Sequence, residues 1–191
     1  KKNINIDILI NNAAINPKMK KMKKKINLRL ENLSLSDWNQ DVAVSLTGTF
    51  LCSKIFGEEM AKNKSGVILN ILSDLSLISP DQRIYKKKNL KPNQQTVKPI
   101  SYSVAKTGLI GLTKYVATYW ARNGVRCNAI SPGSVFENQN KNLIKNLNNL
   151  IPMGRMANRD EYRSAIQFLC SDASAYMNGH NLVMDGGRSI W

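Results

Sequence analysis

"VILNILSD", residues 67–74, is a strand-length apolar run with one interruption, Asn70, closed by Ser73 and Asp74. It lacks both the period-two alternation of a half-buried strand and the length of a helix, so it reads as a strand covered on both faces. "IDILI" at 6–10 and "VRCNAI" at 125–130 have the same character, with a shorter "NLVM" at 181–184. Helical patterns separate them. One spans about 37–62, with Ser36 as N-cap and Trp38, Val42, Leu46 and Phe50 along one face. A second spans about 101–121 and stops at Asn123-Gly124. A third, about 159–169, follows Asn158 with Glu161 in capping-box spacing. Strands alternating with helices require parallel pairing through right-handed crossovers. The prediction is one α/β domain over 1–191, with long loops at about 11–35 and 73–99.

Parallel strands share one carboxyl rim, where open α/β sheets bind ligands. Here every buried run switches at that end to small or hydrogen-bonding residues: "NNAA" at 11–14, Ser73 in "LSD", and "SPG" at 131–133. Each cluster alone is ordinary turn chemistry; their coincidence on one rim marks a candidate site.

The helix after Ser73 begins "SYSVAK", residues 101–106. Tyr102 and Lys106 stand at i and i+4 on one face, one turn apart, where their polar tips can meet one ligand. A lone YxxxK is usually a surface pair. Beside a strand-end serine it acquires a use: an ammonium about 4 to 5 Å from a phenol at an effective dielectric near 20 favours the phenolate by roughly 3 to 4 kcal/mol. That lowers a phenol by about two to three pK units, into the range of a general acid or base.

Composition excludes several classes. No apolar run reaches the ~18 residues of a membrane span. Cys52, Cys127 and Cys170 are dispersed without a CxxC pair, which disfavours a disulfide framework and a zinc site and suits a reducing cytoplasm. His180 is the only histidine, so a serine or cysteine hydrolase would have to be built on that residue. The net charge of +15 is concentrated in "KMKKMKKK" at 18–25 and "YKKKNLK" at 85–91. Such runs read as solvated loops, with nucleic acid the less favoured partner.

Together "NNAA", Ser73, "YSVAK" at 102–106, "NAISPG" at 128–133 and "FLCSDASAYMNGHNLVMDGG" at 168–187 resemble the short-chain dehydrogenase/reductases over essentially the whole chain. The resemblance implies a Rossmann-type doubly wound sheet and hydride transfer between NAD or NADP and an alcohol or carbonyl of a small molecule. By position it makes Tyr102 the acid/base, Lys106 the residue that holds the nicotinamide ribose and lowers the tyrosine pKa, and Ser73 the hydroxyl that orients the substrate carbonyl. Asn11 and Ala13 would lie along the cofactor, and Pro132 and Gly133 against the nicotinamide. A homo-oligomer, dimer or tetramer, is implied too. More narrowly, "ENLSLSDWNQDVAVSLTGTFLCSK", "IPMGRMA" and "DGGRSIW" resemble reductases of flagellin modification and nonulosonate pathways, which implies a sugar or nucleotide-sugar substrate.

Three departures qualify the match. No Gly-rich GxxxGxG turn occurs, which implies roughly 60 to 80 further residues upstream, at about 30 per βαβ unit. Ser45, in "VAVSLTG", stands where the family commonly has a relay asparagine. The threonine that often follows "PG" in the family and binds the carboxamide appears as Glu137 or is displaced, and an ionised glutamate has no proton to donate. Two readings compete with the enzyme: a basic module binding polyanions, and an inactive remnant whose first strand exposes an apolar edge.

Overall fold

The buried runs become strands of one parallel sheet. The computed structural model describes residues 5–16 and 28–191; the lysine run at 18–25 lies outside the described residues. Strands β1 (Ile8–Asn11), β2 (Gly66–Ile71), β3 (Val125–Pro132) and β4 (Asn181–Met184) lie in that order, all parallel. Helices α1 (Leu35–Val42) and α2 (Gly48–Lys62) link β1 to β2, and α3 (Ile100–Tyr119) links β2 to β3. Between β3 and β4 come α4 (Lys141–Asn148) and α5 (Arg163–Cys170).

Successive side chains of β2 explain the two-sided cover. Ile68 packs with Met60 of α2, Val116 and Ala117 of α3, and Val125 and Cys127 of β3. Leu69 points the other way, to Ile130, Tyr162 and Leu169 beneath α5. A non-alternating strand is what such a position between two helical layers demands. β1 is covered unequally: Leu9 packs against the α2/α3 layer, whereas Ile8 and Ile10 are each 45% exposed.

Helix ends follow local chemistry. Ser34, not Ser36, caps α1: its backbone is extended, and its hydroxyl accepts from Asp37 N at 3.0 Å, while Ser36 already lies within the first turn. The helix expected over 37–62 is broken by a π-helical turn, Ala43–Thr47, that carries the buried Ser45. Asn158 and Glu161 form their capping box. Gly124 takes φ 75°, and a β-carbon there would meet Lys64 O at 2.1 Å, so glycine is required where the chain turns into β3. Helix α4 was not foreseen, because "KNLIKNLN" is rich in asparagine, a poor helix former. Asn140 caps it, and Leu147 anchors it against Ile84, Ile151 and Met156.

Candidate active site

The carboxyl ends of all four strands fall on one rim, and the first turn of α3 meets it at the end of β2. Ser73 leaves β2 in extended conformation. Its hydroxyl donates to Asp74 Oδ1 at 2.9 Å and accepts from Leu75 N at 3.2 Å. The turn is pinned from below: Ser76 Oγ donates to Ser73 O at 2.6 Å and lies 3.0 Å from Ser131 Oγ at the end of β3. The Ser73 hydroxyl lies close enough to the Tyr102 phenol to lower its pKa. Lys106, one turn further along α3, donates through Nζ to Ile71 O at 2.5 Å and stands 5.9 Å from the Tyr102 ring centroid. Ser73, Tyr102 and Lys106 are therefore brought together.

Their electrostatics differ from the expectation. Burial is the largest influence on Tyr102 and raises its pKa above the ordinary 10.0; the Ser73 hydroxyl lowers it and the Asp74 charge raises it. The Lys106 ammonium, which donates to Ile71 O and stands 5.9 Å from the ring centroid, does not offset that burial. Burial depresses Lys106 itself to about 8. In this arrangement Tyr102 is a protonated phenol at neutral pH, and the predicted phenolate shift is absent.

Ser45 faces the same region from the π-helical turn. Its hydroxyl accepts from Ile15 N at 3.1 Å, tying the helix to the segment after β1. Such turns are frequent at functional sites, since the extra residue redirects a side chain. Asn11 is buried and its amide is used inward: Nδ2 donates to Asn70 Oδ1 at 2.8 Å and to Ser53 Oγ at 3.1 Å, while Asn70 Nδ2 donates to Thr113 Oγ1 at 2.9 Å. This polar line fixes β1 to β2, α2 and α3 and explains the lone Asn within "VILNIL". Ala13 is exposed on the rim. Pro132 pairs with Met184 of β4. At Gly133 a β-carbon would come within 2.8 Å of Asp185 Cα, so a residue without a side chain is needed. A cavity of about 350 Å³ opens beside Gly133, lined by Ser134, Met153, Tyr162, Met184 and Asp185, and does not take in Ser73 or Tyr102. Glu137 is exposed, with Arg159 3.7 Å away.

Three features at the rim escaped the sequence reading. Arg188 donates to Asp74 Oδ2 at 2.6 Å, and both side chains are nearly sealed, 5% and 4% exposed. "DGGRSIW" held the arginine, but only the fold brings it 114 residues back to Asp74. Ser101, just before Tyr102, donates to the buried Asp41 carboxylate of α1. Lys98 places Nζ 3.6 Å from the Tyr102 ring centroid and donates to Asn16 Oδ1 at 2.5 Å. A lysine in a loop already crowded with lysines gives no sequence signal.

This geometry agrees with the relationships of the chain. The family model described as Enoyl-(Acyl carrier protein) reductase matches residues 1–189. A D-threitol dehydrogenase of Mycolicibacterium smegmatis is 35% identical over 97% of the chain and 64% of its own length. Among solved structures, a short-chain dehydrogenase of Leptospira borgpetersenii with bound NAD+ superposes with a TM-score of 0.83 at 36% identity, over 96% of this chain and 65% of that one. A gluconate 5-dehydrogenase of Burkholderia cenocepacia in complex with NADP and tartrate gives 0.79 at 27% identity, over 98% and 66%. The chain belongs to the short-chain dehydrogenase/reductase family. It spans about 65% of the length of these relatives. Among the described residues no helix is long and apolar enough to cross a membrane.

Proposed function

We propose that the protein to which this chain belongs oxidises a secondary alcohol, or reduces the corresponding carbonyl, on a sugar-derived small molecule with NAD or NADP. The observation that carries this reading is the meeting of Ser73, Tyr102 and Lys106 at the carboxyl rim. The donor set fits the nicotinamide end of such a cofactor. Lys106 has three N–H groups and spends one on Ile71 O, leaving donors for ribose hydroxyls. Gly133 keeps the end of β3 free of a side chain next to Pro132, while Asn11 and Ala13 stand on the same rim at the end of β1. The cofactor, when bound, supplies or accepts the hydride.

The chain's own residues manage the proton. Tyr102, a neutral phenol at neutral pH, donates to the carbonyl oxygen during reduction and takes the proton back during oxidation. Ser73 has one O–H, which the Arg188-held Asp74 accepts when no substrate is present; swung away from Asp74, it donates to the same oxygen and fixes its direction. Ser45 holds the loop after β1 against the π-helical turn. Because burial raises Tyr102, the phenol stands ready to donate in carbonyl reduction at neutral pH, and the rate of alcohol oxidation rises with pH.

The names of the relatives, threitol and gluconate dehydrogenases, support a sugar alcohol or sugar acid as substrate. A nucleotide sugar and a role in flagellin modification rest on sequence segments alone. Self-association as a dimer or tetramer is supported by exposed Phe50, Leu51 and Ile55 on α2 and by the stacked, exposed Tyr115 and Tyr119 on α3. The test follows nicotinamide absorbance with the full-length protein, a panel of sugar alcohols and acids, and Tyr102→Phe. Turnover that survives in that variant would overturn the acid/base role.

A further inference from the structure

Lys98 has no part in the proton path, yet it is only 9% exposed and leans on the ring of the residue that does. Its position is built. The Gln82 side chain grips its backbone at both ends, donating to Lys98 O at 3.0 Å and accepting from Lys98 N at 2.8 Å. The ammonium then spans from Asn16, beyond β1, to the face of Tyr102. Holding a cation in such a place is costly: burial depresses Lys98 to about 8.

No carboxylate among the described residues forms an ion pair with it, and residues 1–4 and 17–27 contain no Asp or Glu at all. The two nearest acids are engaged elsewhere: Asp74 with Arg188, Asp41 with Ser101. Counting Lys98, Lys106 and Arg188 against Asp74 and Asp41, the surroundings of the phenol carry one positive charge in excess when the lysines are protonated. One of the three Lys98 donors is used by Asn16, and another direction is covered by the ring. A buried cation without an ion-pair partner beside the reacting centre, with a donor that no described residue takes, suits an anion that arrives with the substrate.

We propose that Lys98 selects a hydroxy or oxo substrate bearing a carboxylate close to the carbon on which Tyr102 acts. The inference rests on the reaction proposed above and names its substrate class. One ammonium with one spare donor matches a carboxylate monoanion. A phosphate ester, with two charges and three acceptor oxygens, would call for the guanidinium of Arg188, which Asp74 already holds.

The test is calorimetric titration of gluconate, glucitol and glucitol 6-phosphate into the full-length protein saturated with reduced cofactor, which cannot oxidise these alcohols, as wild type, Lys98→Met, Lys98→Gln and Lys98→Arg. Wild type is expected to bind gluconate at least about tenfold more tightly than glucitol. Lys98→Met and Lys98→Gln should each erase that ratio while glucitol affinity stays within about threefold, and Lys98→Arg should keep part of it. Equal losses for acid and polyol would mean a structural lysine and overturn the proposal. So would no preference for gluconate in wild type, tighter binding of the phosphate ester, or a loss confined to cofactor affinity. The readout is binding, so it is separate from the reaction itself: turnover surviving Tyr102→Phe, with acid selectivity still following Lys98, would sink the acid/base role and leave the carboxylate site standing.

Discussion

The rim around Tyr102 and the strand β1 lie in one sheet but are finished to different degrees. At the rim, Ser73, Asp74, Arg188, Ser101, Asp41 and Lys106 all have hydrogen-bond partners inside the chain. On β1 the inward amide of Asn11 is equally well satisfied, yet Ile8 and Ile10 face solvent across the sheet from a covered Leu9. The surroundings of Tyr102 are thus locked into a core that the described residues supply. The cover over β1 is not supplied by the described residues. Chemistry and cofactor affinity should therefore respond separately to substitution.

The strongest break is at the phenol. Tyr102→Phe in the full-length protein should lower turnover by about 10²- to 10⁴-fold, the range of a lost general acid. Cofactor affinity should hold within a few-fold, read by fluorescence titration; parallel loss of both would dissolve the separation. Next is the sealed ion pair. Arg188→Met leaves Asp74 charged and buried beside Ser73, and removing one partner of such a pair costs about 3 to 5 kcal/mol. Urea midpoints measure this, and the double variant Arg188→Met, Asp74→Leu should recover much of the stability but not the turnover. An additive double variant would show that the pair does not hold the rim.

A smaller effect is expected from pH. Lys98 and Lys106 ionise at about 8 in the folded protein against an ordinary 10.5. Between those values the unfolded chain binds more protons, so stability rises with pH across the window, and below about 8 the penalty is fully present. Cys127, pushed by burial from 9.0 to about 12, and Cys170, raised by burial as well, oppose the two lysines from pH 9 upward, because the folded chain retains protons that the unfolded thiols lose. Net stabilisation should therefore appear between about pH 8 and 9, and Lys98→Met should shrink it while raising the midpoint at pH 7. A midpoint unchanged by that substitution would mean the buried ammonium carries no penalty.

What the sequence disclosed follows from where the information resides. Strands β2 and β3 were legible because burial on both faces makes their runs apolar, and Tyr102 and Lys106 because one helical turn fixes their spacing. The break at 43–47 was not legible, since a π-helical turn adds a residue without altering composition. Lys98, Asp74 and Arg188 function through contacts across the fold, and no local pattern encodes a partner 114 residues away. The phenol's pKa is not legible for a related reason: spacing puts Lys106 within reach, but the burial that raises the phenol comes from the whole fold.

The smallest expected effect tests β1 directly. Ile8 and Ile10 alternate with Leu9 on a four-residue strand, so neighbouring apolar residues occupy opposite environments. Ile8→Thr with Ile10→Thr should change the unfolding free energy of this 191-residue chain by less than about 1 kcal/mol, because little apolar area leaves water at either site. Leu9→Ala removes contacts with the α2/α3 layer and should cost more, about 2 kcal/mol for a side chain that is only partly buried. Repeating the threonine pair in the full-length protein sharpens the comparison. A cost that grows there to several kcal/mol would mean that these isoleucines are covered in the whole molecule, and an unchanged cost would mean that β1 keeps an open apolar face throughout.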